Sequence, residues 1–85
     1  PQPRLLLLDE PAEGLAPVIV QQLAEEVRAA REREQVTLLL AEQNLAFARR
    51  CTDYVYLLDS GRIVFHGAWE AFDAQPELKT RYLAV

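Results

Sequence analysis

Leu5-Leu6-Leu7-Leu8-Asp9-Glu10-Pro11 is the stretch on which the reading of this chain turns. Arg4 to Leu8 is an apolar run without polar alternation, which suits a strand buried on both faces, and it stops abruptly at two carboxylates and a proline. Val36 to Ala41 (VTLLLA) is a second run of the same kind, followed by Glu42, Gln43 and Asn44. Both read as central strands of a parallel sheet. Between them Pro17 suits the first turn of a helix, and Val20, Leu23, Ala24, Val27 and Ala30 recur at helical spacing on one face. Glu25, Arg28, Arg31, Glu32 and Glu34 fall largely on the other, a solvated face laced with weak ion pairs. Strand, helix and strand make a βαβ unit with a right-handed crossover, so the two strands run parallel and end together.

Downstream, Leu45 to Arg50 reads as a short helix. Tyr54 to Leu58 and Arg62 to Phe65, separated by Asp59, Ser60 and Gly61, read as a β-hairpin. Trp69 to Phe72 and, after Pro76, Glu77 to Leu83 read as two short closing helices. The chain has 85 residues, 51% hydrophobic and 26% charged, which is globular composition. At this length one modest core is expected and two independent domains are not. No apolar run approaches the ~20 residues of a membrane-spanning helix, and no basic-then-apolar leader opens the sequence. With no methionine anywhere, the chain is expected to be a piece of something longer. Its net charge of -4, with eight arginines and the single Lys79 as its only basic residues, offers no basic stripe for nucleic acid. Cys51 stands alone, so neither a disulfide nor, with His66, a structural zinc set is expected; a reducing, cytoplasmic setting is.

In open parallel sheets ligands bind outside the carboxyl ends of the strands. Here those ends carry Asp9 and Glu10 after the first strand, and Glu42, Gln43 and Asn44 after the second. A carboxylate at a strand tip can hold Mg²⁺ through its waters, and a second one beside it can orient or deprotonate an attacking water. An Asp-Glu pair in this position also serves as a turn or helix cap, so both readings stand on these residues alone. His66, Cys51, Tyr54, Tyr56 and the pair Trp69 and Phe72 read as structural.

The longer string resembles the Walker B motif of ABC-type ATPases: four apolar residues, then Asp, Glu and Pro. The resemblance continues in order through Gly14, Leu15 and Pro17, at the place of the D-loop, and through Leu38 to Asn44, the strand and switch region. It extends to Tyr54 through Gly67, similar to the family's apolar strand, its GRIV hairpin and the glycine that follows. It implies an α/β fold, part of a P-loop NTPase: a parallel βαβ unit followed by a β-hairpin and short C-terminal helices. Residues 1–85 would be a single partial domain, from Walker B to the C-terminus of the nucleotide-binding domain. Glu13-Gly14-Leu15-Ala16-Pro17 together with Ala41-Glu42-Gln43-Asn44 is similar to one subgroup, the ATPase subunits of branched-chain amino-acid importers and of urea or short-amide importers. Arg81-Tyr82-Leu83 resembles their usual ending.

The resemblance implies a role for each matching residue. Asp9 would hold Mg²⁺ through water, and Glu10 would polarise the water that attacks the γ-phosphate of ATP. Gln43 stands where most of the family has a switch histidine; its amide can donate a hydrogen bond to phosphate but cannot carry a proton. Glu13, Gly14, Leu15 and Ala16 occupy the D-loop, which contacts the sister ATPase subunit. Glu13 replaces a serine and Ala16 an aspartate there, which puts the usual D-loop hydrogen bonds in doubt. No Gly-x-x-x-x-Gly-Lys-[Ser/Thr] string occurs, since the glycines are at 14, 61 and 67 and the only lysine is Lys79. Walker A, Q-loop and signature sequence are all missing, so these 85 residues alone are expected to be inactive. The intact subunit is expected on the cytoplasmic face of the membrane, as a homo- or heterodimer with a sister ATPase. It would drive membrane-spanning permease subunits and, indirectly, an external binding protein, with no nucleic-acid partner. The alternatives are an ABC-type ATPase of DNA repair or translation, and a truncated interaction module without catalysis.

Overall fold

The computed structural model describes residues 5–83 and divides the chain into two compact units between Thr52 and Asp53. In the first unit β1 (Leu5–Asp9), α1 (Pro17–Glu34), β2 (Thr37–Ala41) and α2 (Leu45–Cys51) follow in order. β1 and β2 pair in parallel, with Leu5 opposite Thr37 and Asp9 opposite Ala41. The strand, helix, strand order is therefore the expected one, with Asp9 inside the first strand instead of beyond it.

The expectation that both strands are buried on two faces does not hold. Leu8, Leu38 and Leu40 point to the side where Ala12, Ala24, Val27, Phe47 and Cys51 form the core of this unit. Leu5, Leu7 and Leu39 on the opposite side are 61%, 63% and 59% exposed. In this unit the helices that pack on the two-stranded sheet both lie on one side of it. An all-apolar strand therefore alternates in burial although its sequence does not alternate in polarity.

α1 runs for 18 residues, about 27 Å at 1.5 Å per residue. Pro17 occupies its first turn, where a missing N–H costs nothing. Ala24 and Val27 are its buried residues, and Val20 and Leu23 are half-buried beside them. On the outer face Arg28 lies 4.0 Å from Glu25 and 3.8 Å from Glu32, exposed pairs of small individual worth. The helix ends at Gln35 in the left-handed conformation, φ 52°. α2 begins at Asn44, whose Oδ1 accepts the Phe47 N–H at 3.0 Å. At its other end Arg31 Nη1 donates to the Cys51 carbonyl at 2.9 Å, so a cation from α1 closes the C-terminus of α2. Arg50 and Glu25 form a further ion pair between the two helices.

The second unit holds β3 (Tyr54–Asp59), β4 (Arg62–Ala68) and α3 (Trp69–Asp73). β3 and β4 form the expected hairpin. Ser60 and Gly61 both have positive φ, 51° and 77°, the requirement of the two-residue turn whose twist matches that of the strands. A register shift between Leu57 and Leu58 marks a bulge. Leu57, Trp69, Phe72 and Leu78 are buried, with the Trp69 and Phe72 rings edge to face at 5.6 Å. Gly67 permits close packing of β4 on α3: a Cβ there would meet the Phe65 ring at 3.1 Å and the Ala71 Cβ at 3.4 Å. The last segment is helical as expected, wound as a π-helix over Lys79–Leu83. Tyr54, Tyr56, Leu58 and Ile63 remain exposed. Each unit thus has buried side chains of its own.

Unfolding of the 85-residue chain in urea checks which face carries the packing. Phe47→Ala, at a residue 1% exposed, should lower stability by about 3–5 kcal/mol, whereas Leu39→Ala should cost under ~1 kcal/mol. Equal losses would show that the outer face of the β1–β2 sheet is covered.

Candidate active site

The parallel register brings the two strand ends to one level. Asp9 lies opposite Ala41, and the Glu10 N–H donates to the Ala41 carbonyl at 2.6 Å, one step beyond the last paired residues. Glu10 itself has φ 46°. Left-handed backbone is costly for a residue with a Cβ, and a following proline, Pro11, restricts it further. The conformation is held from both sides: by that bond to Ala41, and by the Glu13 N–H on the Glu10 carbonyl at 3.1 Å. The chain then turns again, Leu15 N–H to Ala12 carbonyl at 3.2 Å, with Gly14 at φ 77°. Ala12, 5% exposed, anchors the loop in the core.

Beside this loop, the segment after β2 is held by Glu42. Its Oε2 accepts the N–H groups of Gln43 and Asn44, each at 3.0 Å, and its Oε1 accepts the Ala12 N–H at 3.2 Å. Asp9 and Gln43 are exposed and Glu10 and Glu42 half-buried. Glu13, Gly14, Leu15 and Ala16 are all exposed between β1 and α1. The residues singled out from the sequence therefore share one edge of the first unit. Sequence reasoning gave Glu42 no role beyond its place after the strand, although its position before Gln43 and Asn44 was open to inspection.

Electrostatically this edge is crowded with carboxylates. The negative charge of Glu13 pushes the Glu10 carboxyl above its ordinary range, followed by partial burial, a hydrogen bond with Glu13, and the charges of Asp9 and Glu42. A carboxylate so placed is a better proton acceptor than a free one. Among the described residues no group of three or more His, Cys, Asp or Glu side chains is arranged to hold a metal. What the edge offers is one exposed strand-tip carboxylate, Asp9. That suits Mg²⁺, which keeps several waters and takes one or two carboxylates together with phosphate oxygens.

The remaining candidates have structural surroundings. Cys51 is wholly buried, burial pushes its thiol up, and its Sγ lies 3.8 Å from the Ala24 carbonyl, so it is not the thiolate of a reactive cysteine. His66 is exposed on β4, bonded through Nδ1 to the Tyr54 hydroxyl at 2.9 Å and stacked on Tyr56. A depression in the second unit is lined by Asp59, Ser60, Arg62, Val64, Arg81 and Tyr82, and includes none of the site residues.

An apolar β1 running into Asp9-Glu10-Pro11, paired in parallel with a strand followed by Glu42-Gln43-Asn44, carries the residues on which the resemblance to ABC-type ATPases rests. Sequence comparison points the same way: the chain is similar along nearly its whole length to ABC transporter ATP-binding proteins. It is 46% identical, over 96% of its length, to the high-affinity branched-chain amino acid transport ATP-binding protein BraG of Pseudomonas aeruginosa, covering 35% of that protein. It is 38% identical over 92% of its length to the phosphonates import ATP-binding protein PhnC 2 of Rhodopseudomonas palustris, covering 28%. It is 32% identical over 96% of its length to LivG of Escherichia coli, a high-affinity branched-chain amino acid transport ATP-binding protein, covering 32%. The chain thus spans about a third of the length of the curated relatives it matches. No family model matches it.

Titration of the Glu10 side chain by carboxyl NMR tests the electrostatic picture. Glu10 should titrate above the ordinary glutamate range, and Glu13→Gln should bring it down. Because the folded chain holds this proton more tightly than the unfolded one, the group's contribution to stability falls as pH rises through the folded value, and Glu13→Gln should flatten that fall. A Glu10 titration unmoved by Glu13→Gln would locate the cause elsewhere.

Proposed function

We propose that this sequence is the part of an ABC importer's ATP-hydrolysing subunit that runs from Walker B toward the C-terminus, one partial P-loop NTPase domain to which both compact units belong. The observation that carries the reading is the meeting of Asp9-Glu10 with Glu42-Gln43 at one sheet edge, in a chain similar along nearly its whole length to transport ATP-binding proteins. The names of BraG and LivG favour branched-chain amino acids as the cargo of the transporter, with urea or short amides as the nearest alternative. No residue here would touch the cargo. The subunit would sit on the cytoplasmic side of the membrane beside permease subunits and a sister ATPase, with an external binding protein acting indirectly. Among the described residues no helix is long and apolar enough to cross a membrane.

Phosphoryl transfer depends mostly on positioning and charge stabilisation. Mg²⁺, when bound with ATP, would neutralise charge on the phosphates, and Asp9 is the residue that would hold it through water. Glu10 would orient the attacking water and take its proton, a task helped by its raised proton affinity. Gln43 would donate its side-chain amide to the γ-phosphate without exchanging a proton. Glu13, Gly14, Leu15 and Ala16 would face the sister subunit. The 85 residues contain no phosphate-cradling loop, so a second reading, a segment without activity of its own, describes the chain in isolation.

In the full-length polypeptide, Glu10→Gln should leave ATP binding nearly unchanged and cut hydrolysis ~100 to 10,000-fold. Gln43→Ala should lower turnover at saturating ATP. Gln43→His should retain it and add a pH dependence near the ordinary histidine value of about 6.5. Phosphate release by the 85-residue chain, abolished by Glu10→Gln, would overturn the assignment of a separate phosphate loop. Parental turnover in Gln43→Ala would return that amide to the loop.

A further inference from the structure

We propose that Glu42 is a positioning residue that locks the loop carrying Glu10 to the loop carrying Gln43. The inference rests on the hydrolytic reading of the site and adds to it a residue outside the reacting groups. Glu42 and Ala12 are 30 residues apart, and one carboxylate joins their two loops. Its Oε2 fixes the backbone at Gln43 and Asn44, and its Oε1 fixes the backbone at Ala12, two residues beyond Glu10. Three N–H groups on one ionised acceptor make charge-assisted bonds, stronger than neutral ones.

These bonds also say what Glu42 does not do. A carboxylate has about four lone-pair positions, and three N–H groups occupy three of them, which leaves little for a metal ion or an attacking water. Asp9 and Glu10 keep those tasks. The Asn44 amide held by Glu42 belongs to the same residue whose Oδ1 caps α2, so the clamp is continuous with the start of a helix. Glu10 depends on such support, because its backbone stands at φ 46° before a proline. A shift of Gln43 as its amide meets phosphate would be carried by one side chain to the loop of Glu10.

Two conservative substitutions separate the bonds. Glu42→Asp is one methylene shorter: it can keep the local bonds to Gln43 and Asn44 but cannot reach Ala12. Glu42→Gln keeps the size and offers one acceptor oxygen, so it holds one loop or the other. In the full-length protein both should lower kcat for ATP hydrolysis about 10 to 100-fold with KM for ATP within about twofold, the loss expected when reacting groups are misplaced by an ångström. Glu42→Asp, which keeps the bonds to Gln43 and Asn44 and loses only the one to Ala12, should not reduce turnover further in a Glu10→Gln background. In Glu42→Asp, amide hydrogen exchange at Ala12 should quicken while that at Phe47 stays slow. Parental kcat in both variants, a rise in KM alone, or an added loss from Glu42→Asp on top of Glu10→Gln would overturn the positioning role. If those results came with Glu10→Gln still strongly impaired, the hydrolytic reading would survive. A full-length protein that does not hydrolyse ATP would overturn both.

Discussion

The parallel pairing of β1 with β2 is the constraint on which the rest of the first unit depends. Parallel strands that start level finish level, so Asp9 opposite Ala41 places two loops from distant parts of the chain side by side. Such strands need a crossover connection, and α1 supplies it while covering one face of the sheet with Val20, Leu23, Ala24 and Val27. Each consequence follows from the other. The helix is buried because the strands pair, and the strands pair in this sense because a helix lies between them.

That geometry concentrates negative charge where the loops meet. Asp9, Glu10, Glu13 and Glu42 share one edge, and the Glu10 backbone is held in a conformation that few side chains adopt. Repulsion and backbone strain oppose folding here. Opposing them are the Glu10 N–H bond to Ala41, the buried Ala12, and the three N–H groups that Glu42 accepts. A site that gathers like charges and a left-handed glutamate is poised to receive positive charge and to act as a base. This is the physical ground for the proposed role of the edge toward a nucleotide-bound cation.

The second unit follows a simpler logic. A tight turn at Ser60 and Gly61 sets the hairpin, and Trp69, Phe72 and Leu78 bury its inner face. Its outer face carries Tyr54, Tyr56 and His66 in mutual ring contact, with Leu58 and Ile63 exposed. In the first unit Leu5, Leu7 and Leu39 likewise stand open. Among the described residues each unit thus exposes large apolar side chains.

By itself the sequence determined the kinds of element and their order, because each had a local cause. Unbroken apolar runs made strands, Pro17 and the 3.6-residue spacing after it made α1, Asn44 capped α2, and Ser60-Gly61 made the hairpin turn. It also marked Asp9 and Glu10 after one strand and Glu42, Gln43 and Asn44 after the other, since strand-end polar residues stand out against leucines, and the family resemblance singled out Gln43 among them. Tertiary structure alone decided how much of each strand is buried. Leu7 and Leu8 are chemically identical, and only the side on which helices pack tells them apart. It likewise decided the conformation of Glu10 and the task of Glu42, because a hydrogen bond to Ala12 across 30 residues has no local signature. Residue type sets what a side chain can do, whereas the partner it meets is a property of the folded chain.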